Sequence, residues 1–211
     1  MVIENVFNAH GFDRIVAFTG ADITEDMIDQ CLAIDREFYE DEFSWEQSDI
    51  KSVVKNFGQF CFVFFDKDDK KVMGYSFWFP IKTQVFFDFI KNKKMLLLLK
   101  EEFCTGFKGN ESVNLFSGGE AFVKGYNIRE LHGAIEDLFQ KRVLDLANVG
   151  VKVKYIAIEA CCKYDEQFLV PLLGLEKSVK KENSTFYYGE YSPNTVYKNS
   201  KIAQELKKIY N

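Results

Sequence analysis

The stretch VNLFSGGEAFVKGYNIRELHGAIEDLFQKRVLDLANVGVKVKYIAIEA, residues 113–160, decides the fold. It opens with an apolar run that ends at Val123, which is typical of a buried strand. A helix is predicted after residue 127, because apolar side chains recur there at three- and four-residue steps: Leu131, Ile135, Leu138, Phe139, Val143 and Leu146. Residues 153–160 then predict a second strand. Strand, helix and strand of these lengths predict a right-handed crossover between parallel strands.

The two ends of the predicted helix carry recognisable signals. Asn127 is placed as the N-cap, and Glu130 follows it as the second half of a capping box. Gly150 stands where a helix ends. Because the free N–H groups at a helix start point away from the helix, this position at the end of a strand predicts an anion-binding site.

The composition limits the class of protein. The chain has 211 residues, of which 47% are hydrophobic and 28% are charged, as in ordinary globular proteins. A formal charge of −5 argues against a nucleic-acid partner and is compatible with a cationic or amine substrate. The five Cys are an odd number without metal-ligand spacing, so we expect reduced thiols and no metal site. The chain shows neither a signal peptide nor an apolar run long enough to span a bilayer, so a cytoplasmic protein with no membrane partner is expected.

The rest of the chain predicts one α/β domain at residues 1–191, followed by a C-terminal helical appendage at residues 192–211. Within the domain, residues 1–13 are an N-terminal extension, and residues 82–112 are an insertion that is the expected wall of an acceptor site. The remaining predicted strands are 14–19, 60–65, 72–80, 175–180 and 184–191, and the remaining predicted helices are 22–39, 44–58, 85–103, 166–173 and 199–210.

This order of elements resembles the GNAT acyltransferase superfamily over about residues 14–191. Gly74 in Val72-Met73-Gly74-Tyr75 stands where the family often has Val-Gly-Tyr on its third strand, and Leu172-Leu173-Gly174-Leu175 resembles the Leu-Gly-Phe that closes its last short helix. The resemblance implies an α/β (α+β) fold, with a mixed, mostly antiparallel central sheet flanked by helices and a central β-α-β unit. It also implies that acetyl-CoA or another acyl-CoA binds as co-substrate where the fourth and fifth strands splay apart. The acyl group then passes directly to an amine.

The resemblance assigns the co-substrate to the strand and the helix of the crossover. The family's pyrophosphate loop, Gln/Arg-x-x-Gly-x-Gly/Ala, aligns with Ile128-Arg129-Glu130-Leu131-His132-Gly133, in which only Gly133 matches. The residues implied to bind the co-substrate are Phe122 and Val123 for the pantetheine arm, and Arg129, Glu130, Leu131, His132, Gly133 and Ala134 for the pyrophosphate. Many members protonate the leaving thiolate with a Tyr, and Val170 stands at that position here.

Glu120 is the candidate catalytic base. It follows Gly118-Gly119, and a glycine pair inside a strand indicates a bulge or a close backbone approach. The resemblance implies a general-base carboxylate on this strand. The alternative, a strand carboxylate that faces solvent, is equally open. For Glu159, a carboxylate in water at the end of its strand is favoured over a second carboxylate in the cleft. His10 and His132 are favoured as structural or exposed residues, and Cys161 as a structural thiol.

Two functions remain open from the sequence. The first is the transfer of an acetyl or longer acyl group from CoA to a small-molecule or peptide amine. The second is a catalytically silent domain of the same fold that binds a ligand or a protein partner, which the replaced loop glycines and the replaced Tyr favour. An unrelated α/β domain with the same order of elements is a weaker third interpretation. A homodimer is compatible with each of them.

Overall fold

A computed structural model of the chain describes residues 2–3, 5–38, 47–81, 83–92, 112–123, 128–161, 163, 165–180, 184–198 and 200–210. The chain forms two compact units. The first comprises Met1–Phe79 and Gly118–Ile135, and the second comprises Pro80–Ser117 and Glu136–Asn211. The first strand and the helix of the predicted crossover are therefore each divided between the units.

The first unit contains the amino-terminal strands of a mixed sheet. Its elements are β1 (Val2–Ile3), α1 (Asn5–Asn8), β2 (Ile15–Thr19), a 3-10 turn (Gly20–Asp22), α2 (Glu25–Phe38), α3 (Gln47–Phe57), β3 (Phe60–Asp66) and most of β4 (Lys71–Ile81). The strands follow the order β1-β2-β3-β4, and each neighbouring pair is antiparallel. The end of β5 (Ser112–Phe122) lies next to β4, where the Val123 N–H donates to the Met73 carbonyl at 2.9 Å.

The second unit contains the carboxy-terminal strands of the chain and the helices between them. Its elements are α4 (Thr83–Asn92), the start of β5, most of α5 (Ile128–Asn148), β6 (Lys152–Ala160), a π-helical turn (Asp165–Leu169), α6 (Val170–Leu172), β7 (Lys177–Lys180), β8 (Thr185–Glu190) and α7 (Ala203–Tyr210). The strands follow the order β5-β6-β8-β7. β5 and β6 are parallel, whereas β6–β8 and β7–β8 are antiparallel. The predicted mixed, mostly antiparallel sheet is confirmed.

The predicted crossover between parallel strands is also confirmed. β5 and β6 pair in a register that runs from Ser112–Lys152 to Phe116–Ala157. The helix between them ends at Asn148, and the Gly150 N–H then donates to the Ala147 carbonyl at 3.0 Å. Gly150 has a φ of 84°, a left-handed conformation that glycine adopts without steric cost. Asn127 lies outside the described residues, so its capping role stays a prediction.

Aromatic rings build the core of the first unit. Phe122 stacks on Phe64 with ring centroids 5.3 Å apart, and Phe64 meets Phe7 edge-on at 5.7 Å. The ring of Phe122 also covers Gly74, where a Cβ atom would lie 2.3 Å from Cδ1 of Phe122. This close approach is the physical reason for a glycine in the Val72-Met73-Gly74-Tyr75 landmark. Phe7 belongs to the predicted N-terminal extension, yet its side chain is fully buried.

Buried polar residues of α5 hold the C-terminal segment of the second unit. Asp137 Oδ1 accepts hydrogen bonds from the Ser200 hydroxyl at 2.6 Å and from the Lys201 N–H at 2.8 Å. Gln140 Nε2 donates to the Val196 carbonyl at 2.6 Å. The segment is therefore packed against its own unit through specific hydrogen bonds, while the predicted domain boundary between residues 191 and 192 stays a prediction.

Two predicted helices differ in extent from the observed ones. The helix predicted at residues 85–103 begins earlier, as α4 at Thr83, and residues 93–111 lie outside the described part of the chain. The helix predicted at residues 199–210 begins only at Ala203, because turns that hydrogen-bond to α5 precede it. The predicted wall of the acceptor site, residues 82–112, is thus described at Thr83–Asn92 and at Ser112.

Candidate functional site

The glycine pair of β5 lies against aromatic side chains of β4. A Cβ atom at Gly118 would lie 2.1 Å from Cε2 of Phe79, so a larger residue does not fit there. Gly119 has a φ of 129°, and a Cβ atom on it would lie 3.2 Å from the phenol oxygen of Tyr75. Consecutive residues of a regular strand face opposite sides, but both glycines face the aromatic side of β4, as at a bulge. Both are half-buried, so this part of the strand presents backbone without side chains to the surface.

Glu120 follows this glycine pair and is buried, with an exposed side-chain fraction of 7%. Glu120 is therefore not the solvent-facing carboxylate of the alternative interpretation. Strand alternation puts Glu120 on the same face as Phe122, and the Phe122 ring covers Gly74 on that face. Tyr75 follows Gly74 in β4 and points to the opposite face. Glu120 and Tyr75 thus lie on opposite sides of the sheet.

Tyr75, whose phenol oxygen lies beside Gly119, pairs with the buried carboxylate of Asp35. The Tyr75 hydroxyl donates a hydrogen bond to Asp35 Oδ1, and the two residues are 2% and 3% exposed. The Tyr75 ring lies 4.6 Å from that of Phe77 between centroids. Burial raises the pKa of the Cys31 thiol, and the negative charge of Asp35 raises it further. The pair brings helix α2 and strand β4 together beside Gly119.

Sequence reasoning did not single out this pair. Asp35 falls on the same helical face as Met27, Ile28, Cys31 and Leu32, all of which are buried. The sequence did contain a signal for Asp35, which is a carboxylate within the apolar stripe of a helix. Such a group is expected to have a buried partner, because an unpaired charge is costly to bury.

The two pantetheine candidates on β5 take part in the sheet and its core. The Phe122 side chain is 1% exposed and stacks on Phe64. The Val123 N–H is already used in its hydrogen bond to the Met73 carbonyl. Backbone hydrogen bonds from these two residues to a pantetheine arm stay a prediction. For Val123, the carbonyl oxygen would have to accept the bond, because the N–H already donates to Met73.

The pyrophosphate candidates lie in the first two turns of α5. Arg129 and Glu130 belong to the first turn of the helix. The side chains of Leu131 and Ala134 are 3% and 0% exposed, so they point into the interior. Half-buried Gly133 has the imidazole of His10 beside it: a Cβ atom there would lie 3.0 Å from Cε1 of His10. The glycine that matches the family loop therefore also makes room for a histidine of the N-terminal extension.

His132 is a buried histidine in the same turn. Its side chain is 5% exposed, and burial lowers its pKa from 6.5 to about 4. The imidazole is therefore neutral near pH 7 and brings no positive charge to the helix start. Its structural interpretation agrees with this environment.

The other candidates lie in the second unit and make local hydrogen bonds. Glu159 accepts a hydrogen bond from the Ser184 hydroxyl at 2.6 Å. The Cys161 thiol donates to the Glu159 carbonyl at 3.7 Å, and the Cys161 N–H donates to Asp165 Oδ2 at 3.0 Å. Val170, which stands at the position of the family's acid, is 8% exposed. The contact of Cys161 agrees with a structural role, whereas Glu159 is a half-buried, hydrogen-bonded carboxylate and not the fully solvated one that was expected.

The residues that the structure describes contain neither a metal-binding cluster nor a membrane-spanning helix. No group of three or more His, Cys, Asp or Glu in that part of the chain is arranged to hold a metal ion. Among the same residues, no helix has the length and apolar character needed to cross a membrane.

No family model matches the chain, and no curated protein matches it in sequence. Its architecture, in contrast, matches solved structures. A polyamine N-acetyltransferase of Drosophila melanogaster that forms N-acetylagmatine superposes over 84% of this chain and 100% of its own, with a TM-score of 0.53 and 14% identity. Arabidopsis thaliana NAA60 in complex with acetyl-CoA superposes over 84% and 97%, with a TM-score of 0.53 and 11% identity. A GNAT-family acetyltransferase from Listeria monocytogenes covers 83% and 95%, with a TM-score of 0.50 and 11% identity.

This chain has the GNAT fold.

The GNAT fold explains the element order and the parallel pair within a mostly antiparallel sheet. The likeness extends to the three-dimensional architecture, beyond the order of elements on which the third interpretation was based. Identities of 11–14% identify the architecture, so the chemistry has to be argued from the residues of this chain.

Proposed function

We propose that the protein is an N-acyltransferase that moves an acetyl or longer acyl group from CoA to a primary amine of a small molecule or peptide. The observation that carries the proposal is the match of the whole β5–α5–β6 crossover and its sheet to the GNAT fold. Two of the solved neighbours support it by their ligands or products. NAA60 was solved with acetyl-CoA, and the Drosophila enzyme acetylates an amine.

The start of α5 is the proposed pyrophosphate site. The N–H groups of a first helical turn are available to anions, and the helix dipole favours negative charge there. The apolar side chains of Leu131 and Ala134 point inward, so they do not cover these N–H groups. The proposed site therefore consists of the backbone N–H groups of the first helical turn, which includes Arg129. Of the two glycine positions in the family's loop, only that of Gly133 carries a glycine here.

Glu120 is the base that the sequence proposes for this reaction. Glu120 is buried next to the glycine pair of β5, the strand on which the resemblance implies a general-base carboxylate. If Glu120 receives the proton of the amine, Glu120→Gln lowers turnover and leaves acetyl-CoA affinity nearly unchanged. Unchanged turnover in this variant removes Glu120 from the mechanism.

The test of the proposed function is calorimetric titration of the purified protein with acetyl-CoA, with desulfo-CoA and ATP as comparisons. Saturable binding of both CoA compounds, together with weak or absent ATP binding, is the expected result. An amine-acceptor screen then follows turnover by release of free CoA thiol. Absence of acetyl-CoA binding contradicts the proposal, because every step of the transfer depends on it.

A catalytically silent GNAT domain is the second candidate function. The observation in its favour is the position of His10, whose ring occupies the space over Gly133 that the family loop leaves to the phosphates. The replacement of the family's acid by Val170 points the same way. Binding of acetyl-CoA without turnover of any amine in the screen would favour this candidate.

A further inference from the structure

A cluster of three aromatic rings lies at the surface of the second unit, where α4 meets the sheet. The rings belong to Phe87 of α4, Tyr155 of β6 and Tyr188 of β8, and each of these residues is half-buried. The Phe87 ring meets the Tyr155 ring edge-on at 5.0 Å between centroids, and it meets the Tyr188 ring at 6.3 Å. The neighbouring Phe86 is fully buried and stacks on Tyr155 at 5.9 Å, so α4 holds the cluster in place.

Two exposed lysines extend over the outer rings of this aromatic cluster. Lys154 Nζ lies 5.5 Å from the centroid of the Tyr155 ring, and Lys177 Nζ lies 5.8 Å from that of the Tyr188 ring. The carboxylate that bonds to the cluster is that of Glu190, which accepts a hydrogen bond from the Tyr155 hydroxyl at 3.3 Å. The whole chain has a formal charge of −5, so the positive charge at this surface is a local feature.

A β-bulge brings Lys154 to the ring of Tyr155. The pairing of β5 with β6 runs from Val113–Val153 directly to Asn114–Tyr155, so Lys154 is the extra residue of β6. Neighbouring side chains of a regular strand face opposite sides of the sheet, and a bulge redirects one of them. A local irregularity of the strand therefore places this cation beside the aromatic cluster.

The cluster is next to the place where β5 and β6 stop pairing. Their last paired residues are Phe116 and Ala157, although β6 continues to Ala160. Ala157 pairs on its other side with Tyr188, which in turn pairs with Lys177. Neighbouring strands are about 4.8 Å apart, so Lys177 is three strand spacings, or about 14 Å, from β5 along this row. An extended peptide covers that distance with about four residues.

This inference rests on the proposed function and names the class of acceptor. We propose that the acceptor is a peptide with an acidic residue within about four residues of its amino terminus. Its carboxylate binds Lys154 or Lys177, and an apolar side chain of the peptide lies on the aromatic cluster, because exposed ammonium groups and half-buried rings are complementary to these two groups. The resemblance implies that acyl-CoA binds where β5 and β6 separate, so an amino terminus there leaves the following residues over the cluster. Phe87 belongs to residues 82–112, the predicted wall of the acceptor site.

The variants remove the charges and the central ring separately. Lys154→Met and Lys177→Met delete the two charges and keep an unbranched apolar side chain over each ring. Lys152→Met is the matched control, because Lys152 Nζ also lies over a tyrosine ring, that of Tyr210 at 5.5 Å, outside the cluster. Phe87→Leu removes the ring that contacts the other two. Thermal melts identify any variant that fails to fold.

The probes are the amides of three peptides, Ala-Phe-Asp-Asp, Ala-Phe-Asn-Asn and Ala-Phe-Lys-Lys, which share one amino-terminal amine and differ in charge. Binding is measured by calorimetry without acetyl-CoA, and turnover is measured by release of free CoA thiol. The wild-type protein should bind and acylate the acidic peptide about ten-fold better than the neutral one at low salt, because each exposed charge pair contributes a factor of up to about five. The preference should shrink as salt is added, because salt screens exposed charges.

The lysine variants should change the preference and not merely the affinity. The double variant Lys154→Met/Lys177→Met should bind the acidic and the neutral peptide equally, whereas Lys152→Met should keep the wild-type preference. Lys154→Glu combined with Lys177→Glu should favour the basic peptide, an inversion that a purely structural role of the lysines does not produce. Phe87→Leu should weaken all three peptides and leave their order unchanged.

Three results overturn the inference. They are equal affinity of the wild-type protein for the acidic and neutral peptides, an equal loss of preference in Lys152→Met, and lysine-dependent binding to phosphatidylserine vesicles without discrimination among the peptides, which identifies a lipid surface. If amines are acylated from acetyl-CoA with no preference for the acidic peptide, the acyl transfer stands and this inference fails. If the acidic peptide binds through the two lysines but acetyl-CoA does not bind, the acyl transfer fails and the peptide site stands.

Discussion

The buried His132 predicts that the protein loses stability as the pH falls from 7 to 5. In the folded state burial lowers the pKa of His132 from 6.5 to about 4, so the folded protein leaves this imidazole neutral throughout that range. The unfolded chain binds the proton below pH 6.5 and is thereby stabilised. One pKa unit corresponds to about 1.4 kcal/mol, so the complete loss, reached below about pH 4, is about 3 kcal/mol. Between pH 7 and pH 5 the expected loss is about 2 kcal/mol in the free energy of unfolding.

The assay is urea unfolding at a series of pH values in that range, followed by tryptophan fluorescence and circular dichroism. His132→Gln removes the titrating group from both states, so its stability should vary by much less between pH 7 and pH 5. Equal slopes for the wild-type protein and His132→Gln refute the reasoning, since another group must then take up the protons.

Three further predictions concern packing and catalysis. Gly74→Ala should lower the free energy of unfolding by about 1–3 kcal/mol, because its Cβ atom meets the Phe122 ring at 2.3 Å; urea unfolding measures the loss, and combining it with Phe122→Leu should recover part of it. Asp66→Ala should lower stability by about 1–3 kcal/mol, because Asp66 Oδ1 accepts the N–H groups of Asp68 and Asp69 in the β3–β4 turn; a melting temperature equal to wild type contradicts this. Glu120→Gln should lower amine turnover by about 100-fold, because a general base contributes at least that much to the rate; wild-type turnover in this variant contradicts the role of Glu120.

The sequence predicts the framework well because the framework depends on local patterns. The apolar stripe of α5 and the strands on either side of it are visible in the order of residues, and Gly150 ends the helix as its position predicts. The resemblance identified Gly74 as a landmark, but it did not explain why a glycine is required at this position. The ring that covers it, Phe122, lies far along the chain, and only the folded sheet brings the two together.

The site was harder to predict because its groups come from separate elements. Glu120 was found by its position after two glycines, but which face of the sheet it takes depends on the bulge. Asp35 and Tyr75 are forty positions apart, and the hydrogen bond that joins them is a tertiary contact. The contact of His10 with Gly133 likewise joins residues without any shared local pattern.

The hydrogen bonds from α5 to the C-terminal segment have a consequence for how the second unit is made. Asp137 and Gln140 are 7% and 0% exposed, and their partners Ser200, Lys201 and Val196 follow them by 56 to 64 residues along the chain. Until those residues leave the ribosome, two buried polar side chains in the middle of the long helix lack their partners. The first unit can pack its aromatic core earlier, whereas the second reaches its native state only after residues 196–201 have been synthesised. A chain cut after Tyr191 should therefore accumulate as a protease-sensitive species.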